Sequence, residues 1–445
     1  MSAPLVVWIL TALIIVAVLT QSWWEPRLAA RGTRYQARPW RWWLAGYPQT
    51  SARIWWTWRR LAYLNGLSVS LAPDRRVMGR NFVVQGTALK PKPPRLTVPV
   101  PTLTGLRMRV ILHPGQTPVP FFSAAPAMEH AWRVHGVRVQ STRRGEVLIT
   151  VMATDPLSGD APFRVSRHWE LLTADVGRTE EGQPWLINLR KVPHWLITGA
   201  TQSGKSSLLA ALVKELSRQP VALVGVDCKG GMELGLFGGR LTALATDRRQ
   251  AVGLLSGVVD EIQHRMGVCR AAGMRSIWDL PEDARPVPVV VIVDEIAELY
   301  LTDGSRESRD EADLCGTLLL RAAQLGAALG VHLVVAGQRV GSDIGPRVTA
   351  LRAQLGGRIS HRAHDEASAE MTLGDINADA VVTAQTITED EQGVAVVAMN
   401  GQWARARSRL VTAVEAGEIA SINPPTDPFL IQPDPVEFTK GGAAH

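Results

Sequence analysis

Two short runs in this sequence carry side chains that could bind and split a phosphate ester. The first runs from Gly199 to Ser207 and reads Gly-Ala-Thr-Gln-Ser-Gly-Lys-Ser-Ser. Glycines let backbone N–H groups curl around an anion without a Cβ clash, and a helix beginning after the second glycine adds the positive end of its dipole. The spacing G-x-x-x-x-G-K-S therefore predicts a phosphate-binding loop.

The residues around this loop have the pattern that such a loop requires. An apolar run, Trp195–Thr198, precedes it, and leucine and valine follow at helical spacing. Lys205 is expected to reach the β and γ phosphates of ATP, and the Ser206 hydroxyl is expected to ligate Mg²⁺. The predicted nucleotide-binding residues are Gly199, Ala200, Thr201, Gln202, Ser203, Gly204, Lys205, Ser206 and Ser207.

The second run brings two carboxylates to the end of a strand. Val289–Val293 is continuously apolar and is followed by Asp294 and Glu295. Asp294 suits the Mg²⁺ shell, and Glu295 suits the general base that orients the attacking water. A third apolar run, Val331–Ala336, leads to Gln338, whose amide could sense the γ-phosphate or hold the water. A strand-end glutamine bonded only to backbone is an equally good interpretation.

Strand–loop–helix alternation begins at about residue 192 and predicts an α/β fold with a parallel central sheet. The strand candidates are Trp195–Thr198, Val221–Asp227, Pro288–Val293, Val331–Ala336, Arg358–Ser360 and Gly393–Ala398. Upstream, a short helix at Pro126–His135 and two strands, Val137–Gln140 and Glu146–Met152, predict a small α+β module.

The first residues predict a membrane anchor. Ala3–Thr20 carries no charge, and with Gln21–Trp24 it reaches about 20 residues, enough for a tilted helix to span a bilayer. Arginines at 27, 31, 34, 38 and 41 follow, which places the rest of the chain in the cytoplasm under the positive-inside rule. A cleaved signal peptide is the alternative, but no basic region precedes the apolar run. We expect a single-pass protein of the inner membrane.

The positive charge behind the net charge of +7 is concentrated in the residues after this anchor. Residues 25 to 80 contain eleven arginines and two acids, a balance of +9. Between residues 35 and 64 tryptophans interleave with arginines. This segment could lie in the lipid headgroup layer, contact nucleic acid, or form the tryptophan-rich core of a small subdomain.

Composition excludes several classes of protein. The chain has 445 residues, 46% of them apolar and 20% charged, so it is not wholly disordered. Its three cysteines have no metal-ligand spacing and are too few for a disulfide scaffold. His361 and His364 have no third ligand cluster nearby and are predicted to be surface histidines. The predicted divisions are an anchor (1–24), a basic juxtamembrane segment (25–79), the α+β module (80–175), an ATPase domain (176–422) and a Pro/Gly-rich tail (423–445).

Several ordered motifs resemble the FtsK/SpoIIIE motors. Besides the loop and the acidic strand, Asp227-Cys-Lys229 resembles the second-strand "D-P-K" element of that family, and Asp260–Arg265 resembles its "E-M-x-x-R" helix. Ala328–Arg339 is similar to "A-x-G-I-H-L-x-x-A-T-Q-R", with Gly337 in place of threonine, and Arg358–Arg362 resembles its "R-I-x-x-R" strand. The resemblance covers about residues 192 to 400.

This resemblance implies a RecA-like P-loop NTPase that assembles into a homo-oligomeric, hexameric ring and moves double-stranded DNA. An arginine from the neighbouring subunit would then stabilise charge on the transferring phosphate. The candidates are Arg321, Arg352, Arg358 and Arg362, of which Arg358 and Arg362 lie in the better-matched strand. Arg339, Arg347, Arg306 and Arg309 are candidates for DNA contact.

The outline of the chain resembles that of the actinobacterial conjugative transfer proteins of this family. It has one predicted span and too few residues after Leu410 for a winged helix, unlike cell-division translocases. The expected function is ATP-driven transfer of duplex DNA between cells. The alternatives are a type VII-like protein secretion ATPase, a chromosome-segregation translocase, a type IV coupling protein for single-stranded DNA, and an ATP-gated scaffold.

Overall fold

The structure is a computed structural model that describes residues 42–69, 91–102, 105–153, 155, 157–158, 170–374, 378–399 and 401–427. The chain divides into two compact units between residues 161 and 162. The predicted anchor at 1–24 and residues 428–445 of the tail lie outside the described residues. Within the described ranges, no helix is both long and apolar enough to span a bilayer.

The first unit is a five-stranded antiparallel sheet packed against helices. Its strands follow the order β1-β3-β5-β4, and β2 also pairs with β3. A π-helical turn, Trp42–Gly46, leads into the first α-helix. The elements are α1 (Tyr47–Leu64), β1 (Arg95–Leu96), β2 (Val100–Pro101), β3 (Gly105–Ile111), α2 (Val119–Ser123), α3 (Ala125–Trp132), β4 (Gly136–Arg143) and β5 (Glu146–Met152).

The tryptophan-rich helix α1 forms part of the core of this unit. Ile54 and Trp58 are buried in one cluster with residues of β3, β5 and α3. The Trp58 indole donates to the Pro94 carbonyl at 3.0 Å, and Arg53 donates to the Trp132 carbonyl at 2.6 Å. The predicted boundary at 79/80 therefore separates residues that share one core, and a fragment beginning at residue 80 would lack this helix. Of the sequence-based interpretations of residues 35–64, the tryptophan-rich core applies to Trp58, which is buried. Trp55 and Trp56 are exposed.

The second unit contains a ten-stranded mixed sheet with helices on both faces. Its strands are β6 (Thr173–Thr179), β7 (Pro184–Asn188), β8 (His194–Thr198), β9 (Ala222–Val226), β10 (Ala243–Ala245), β11 (Val289–Val293), β12 (Val331–Gly337), β13 (Gly357–His361), β14 (Val394–Met399) and β15 (Gln402–Ser408). Its helices are α4 (Lys205–Leu216), α5 (Arg248–Ala271), α6 (Ile296–Tyr300), α7 (Arg306–Leu325), α8 (Val348–Gln354), α9 (Glu366–Leu373), α10 (Ala378–Gln385) and α11 (Ala413–Ile422).

The sheet is parallel only in its first part. Its order is β10-β9-β11-β12-β8-β13-β14-β15-β6-β7, and the first six strands are parallel while the last four pair antiparallel. The prediction of a parallel sheet was incomplete, because the predicted strand at Gly393–Ala398 (β14) pairs antiparallel and β6, β7 and β15 were not among the predicted strands. The predicted boundary at residue 176 falls inside β6.

Alternating side chains of the central strands build two cores, one on each face of the sheet. In β11, Val289, Val291 and Val293 enter one cluster, and Val290 and Ile292 enter the other. Because both faces of the sheet are covered, the side chains on both sides of this strand are apolar. Because parallel strands end at the same edge, the loops after β8, β9, β11 and β12 meet at one edge of the sheet.

Candidate functional site

The loop between β8 and α4 has the backbone geometry of an anion cradle. Gly204 has φ 109°, and Gln202 has φ 61°. A Cβ atom on Gly199 would lie 2.7 Å from the His361 Cβ, and one on Gly204 would collide with the Cα of Gly393. These two positions therefore require glycine, the second because of its positive φ as well. The Gly393 amide donates to the Ser203 carbonyl at 2.9 Å, so the segment before β14 supports the loop.

The loop leaves donors free for a ligand. No side chain caps α4 at Gly204, so the first-turn amides of this helix have no side-chain acceptor. The Ser203 hydroxyl is buried and has no hydrogen-bond partner among the described residues. Ser206 and Ser207 follow in the first turn and are half-buried. Uncapped amides and an unpaired buried hydroxyl fit the phosphates of a nucleotide.

Asp294 is placed where a metal ligand is needed. It lies at the end of β11, is 3% exposed, and its amide donates to the Val226 carbonyl at 3.0 Å. Its Oδ1 atom has no hydrogen-bond partner among the described residues. Burial raises the pKa of Asp294 to about 6, and the nearby Lys205 opposes this shift. A buried carboxylate oxygen near Lys205, without a partner among the described residues, fits the shell of a Mg²⁺ ion that accompanies ATP.

Glu295 is held by three donors from three different loops. Its Oε2 atom accepts from Lys205 Nζ at 3.0 Å and from Lys229 Nζ at 3.5 Å. Its Oε1 atom accepts from the backbone amide of Gln338 at 3.2 Å. The carboxylate is 6% exposed, so these contacts compensate its removal from water. The structure thus brings together the predicted lysine, the predicted base and the strand-end glutamine.

Gln338 contacts this group through its backbone. Its side chain is exposed at the same edge of the sheet, so both sequence-based interpretations remain open for its amide. Asp227, by contrast, is fully buried and has a structural role, since its Oδ2 atom accepts from the amides of Glu233 and Leu234 at 2.9 and 3.0 Å.

The two preferred arginines take different positions. Arg358 is 5% exposed in β13, and its Nη2 atom donates to the Arg352 carbonyl at 2.6 Å. Arg362 pairs with Glu389 at 3.1 Å, and its Nη2 atom lies 3.5 Å from the carbonyl oxygen of Thr201 in its own loop. Burial argues against Arg358 as an arginine that reaches a neighbouring subunit, and Arg362 lies against the loop of its own chain.

The prediction that His361 is a surface histidine was wrong, whereas His364 is exposed. His361 is fully buried behind the phosphate loop, and its Nδ1 atom lies 3.1 Å from the Val394 carbonyl oxygen. Burial lowers its pKa to about 4, so the ring is neutral at pH 7. No group of three or more His, Cys, Asp or Glu side chains among the described residues could hold a metal ion by itself.

A cavity of about 100 Å³ lies beside the first turns of α4. Its polar lining residues are Ser206, Ser207 and Glu233, and Leu209, Phe237 and Val411 are among its apolar ones. Apolar walls next to a phosphate loop suit the base of a nucleotide.

Sequence reasoning assigned no role to Lys229, although the Asp227-Cys-Lys229 motif was recognised. When Lys205 engages phosphate, Lys229 is the other cation in contact with Glu295. We expect Lys229→Met to lower the turnover of ATP by up to about fivefold and to leave ATP affinity unchanged, because an ion pair with one partly exposed partner contributes up to about 1 kcal/mol. Turnover and nucleotide binding measured on the same preparation test this. Lys191→Met, at an exposed position, is the control, and weaker binding with unchanged turnover would contradict the assignment.

Asp294 gives a pH-dependent prediction for the nucleotide-free protein. The pKa of Asp294 in the folded protein, about 6, is above its ordinary value of 3.8. Its ionised form therefore destabilises the fold above pH 6, and this cost disappears as the pH falls towards 4. Asp294→Asn should therefore stabilise the protein at pH 8, by about 3 kcal/mol at most, and give little gain at pH 4. Melting curves at both pH values in EDTA test this, with the exposed Asp260→Asn as control. An equal shift at both pH values would be the contrary result.

Fold and site together define a P-loop ATPase, and the chain belongs to the FtsK/SpoIIIE family. The FtsK/SpoIIIE family model matches residues 159–342, and the model of the actinomycete conjugal transfer protein N-terminal domain matches residues 29–153.

Individual relatives agree with this assignment. The transfer protein TraSA of Streptomyces ambofaciens is 37% identical over 375 residues, which are 82% of this chain and 90% of the relative. A DNA translocase FtsK of Campylobacter jejuni is 32% identical over 225 residues, 47% of this chain and 22% of the relative. Among solved structures, the pCW3 conjugation coupling protein TcpA in its monomer form with ATPγS has a TM-score of 0.54 at 21% identity, covering 84% of this chain and 99% of that one. This last similarity is one of fold.

Proposed function

We propose that this protein is a membrane-tethered, ATP-driven translocase of double-stranded DNA that serves conjugative transfer between cells. The observation that carries the proposal is the meeting of Lys205, Glu295 and Gln338 at one sheet edge. It is made in a chain that aligns with 90% of the length of a transfer protein. The shorter match to a DNA translocase FtsK supports DNA as the substrate.

The site residues divide the work of ATP hydrolysis. Lys205 and the loop amides bind the phosphates, and Ser206 with Asp294 would hold Mg²⁺. When bound, Mg²⁺ would neutralise negative charge on the phosphates. Glu295 accepts a hydrogen bond from the attacking water and orients it, once Lys205 has turned from this carboxylate to the phosphates. The apolar cavity beside Ser207 receives the base.

Assembly and tethering complete the proposal. A homo-oligomeric, hexameric ring would place a neighbour's arginine near the γ-phosphate, and the exposed Arg321 on α7 meets that requirement better than the buried Arg358. The apolar residues 3–20, outside the described residues, would anchor the ring to the inner membrane with the ATPase unit in the cytoplasm.

The test is steady-state ATP hydrolysis by the full-length protein in detergent, because α1 belongs to the core of the first unit. Reactions contain no nucleic acid, single-stranded DNA or double-stranded DNA, with Glu295→Gln as blank. We expect duplex DNA to stimulate turnover most. Hydrolysis that ignores DNA, in a preparation shown to form rings, would contradict the proposal and favour a protein secretion ATPase. Stimulation mainly by single strands would favour a coupling protein for single-stranded DNA.

A further inference from the structure

The first unit has a groove that ATP hydrolysis does not use. It has a volume of about 730 Å³ and lies between α1 and the chain around β1 and β3. Apolar side chains line much of it, and several are unusually exposed: Val98 is 72% exposed, Trp55 53% and Ile111 41%. Arg59 and Arg95 also line the groove. Exposed apolar patches with a polar rim commonly mark interaction sites.

The outer face of α1 continues this surface. Trp56 is 85% exposed and Tyr63 is 62% exposed, and Arg59 and Arg60 lie between them. Residues three and four positions apart share one face of a helix, so these side chains form a single stripe. The helix contains no acidic residue. We call the groove and this stripe the aromatic–basic face, defined by Trp55, Trp56, Arg59, Arg60, Tyr63, Arg95, Val98 and Ile111.

The charges of this face have no acidic partner among the residues that the structure describes. Among the described residues, Arg59, Arg60 and Arg95 form no ion pair. The surface therefore combines unpaired cations with interfacial aromatics and apolar groove walls. An anionic ligand with an apolar part complements it.

We propose that the aromatic–basic face docks on the surface of an anionic phospholipid bilayer, with a lipid phosphate between Arg59 and Arg95 and the groove walls against the glycerol and upper acyl region. Tryptophan and tyrosine prefer this depth of a membrane, and arginine is attracted to anionic headgroups. This inference rests on the membrane tethering proposed above, since an anchor at 3–20 would hold α1 close to the bilayer.

The other occupants fit less well. A second copy docking symmetrically would bring Arg59, Arg60 and Arg95 against the same positive face. The segments of this chain outside the described residues next to α1 are also basic, since residues 25–41 contain five arginines against Glu25, and residues 70–90 contain three arginines and a lysine against Asp74. Duplex DNA would satisfy the arginines but would leave Val98 and Ile111 against a charged backbone.

Hydroxyl-radical footprinting of the full-length protein tests the inference. The protein is placed in detergent, in nanodiscs of phosphatidylcholine, and in nanodiscs that also contain phosphatidylglycerol. Oxidation of Trp55 and Trp56 should be about fivefold slower in the anionic discs than in detergent, because the apolar face enters the headgroup boundary. The buried Trp58 is the internal reference in each sample. We expect weaker protection in phosphatidylcholine alone.

The double variant Arg59→Gln/Arg95→Gln should lose this protection, since each arginine near an anionic surface changes binding by about fivefold. Arg143→Gln/Arg144→Gln, at the turn between β4 and β5, is the matched control and should keep it. Equal oxidation in all three media, or failure to associate with either disc, would overturn the inference. Three kinds of protection in detergent would also overturn it. Protection that depends on protein concentration would indicate a second copy, and protection at every concentration would indicate the chain's own segment. Protection that requires duplex DNA would indicate nucleic acid.

DNA-stimulated ATP turnover of the same preparations separates this inference from the proposed function. The Arg59→Gln/Arg95→Gln variant should hydrolyse ATP with duplex DNA like the unchanged protein. Lost DNA stimulation with intact protection of Trp55 and Trp56 would count against the translocase only. Intact stimulation with no protection would count against the lipid surface only.

Discussion

Glu295→Gln should lower the rate of ATP hydrolysis by about 10²–10⁴-fold and leave ATP affinity nearly unchanged. The amide keeps the shape of the side chain but is a poor proton acceptor, so the water loses its base. Glu295 is also the acceptor for Lys205 at 3.0 Å in the nucleotide-free arrangement, and the variant removes this competing contact. ATP should therefore bind at least as tightly. Turnover and binding of a fluorescent ATP analogue, measured together, check this result.

The matched control is Glu298→Gln, in the short helix α6 that begins directly after Glu295. Glu298 forms no ion pair with Lys205 or Lys229 among the described residues. It should retain turnover. Residual activity of Glu295→Gln within a few-fold of the unchanged protein would mean that another group activates the water. Loss of ATP binding would mean that Glu295 is needed for the structure of the site.

Lys205→Met should weaken ATP binding by about 10- to 100-fold, because a charged hydrogen bond to phosphate contributes roughly 1.5–3 kcal/mol. Turnover should fall with it, since Lys205 also neutralises charge on the reacting phosphate. The loop itself should keep its shape, because its glycine positions and the contact from Gly393 do not involve this side chain. Isothermal titration with a non-hydrolysable ATP analogue measures the loss directly.

Lys214→Met controls for the loss of a lysine from the same helix, since Lys214 pairs with Glu415 away from the loop. It should bind ATP normally. Equal affinity of Lys205→Met and the unchanged protein would show that the lysine contacts Glu295 and not the nucleotide. In that case the ion pair between Lys205 and Glu295 would also be present when ATP is bound.

The local motifs could be predicted from sequence because each depends on a few adjacent residues. Gly199–Ser207 needs no distant partner to define its shape, and the apolar run Val289–Val293 indicates a strand covered on both faces. That the two meet also follows from parallel topology. The contacts of Lys229 could not be predicted in this way, since they depend on how the loop after β9 turns back towards Glu295.

The rest of the fold required tertiary information. The strands β6, β7 and β15 pair at the far end of the sheet, and β6 and β15 pack against helix α4. His361 and Arg358 are polar residues on a buried strand, where one nitrogen of each side chain contacts a backbone carbonyl oxygen. A tryptophan-rich sequence likewise could not show that Trp58 enters a core while Trp55 and Trp56 remain outside.

The most direct test of the account is displacement of a third strand from duplex DNA by the full-length protein in detergent with Mg²⁺ and ATP. A translocase that moves along the duplex removes the triplex-forming strand, whereas binding alone does not. The account predicts displacement that requires ATP hydrolysis and is absent in Glu295→Gln. An active ATPase that forms rings on duplex DNA and never displaces the strand would contradict it.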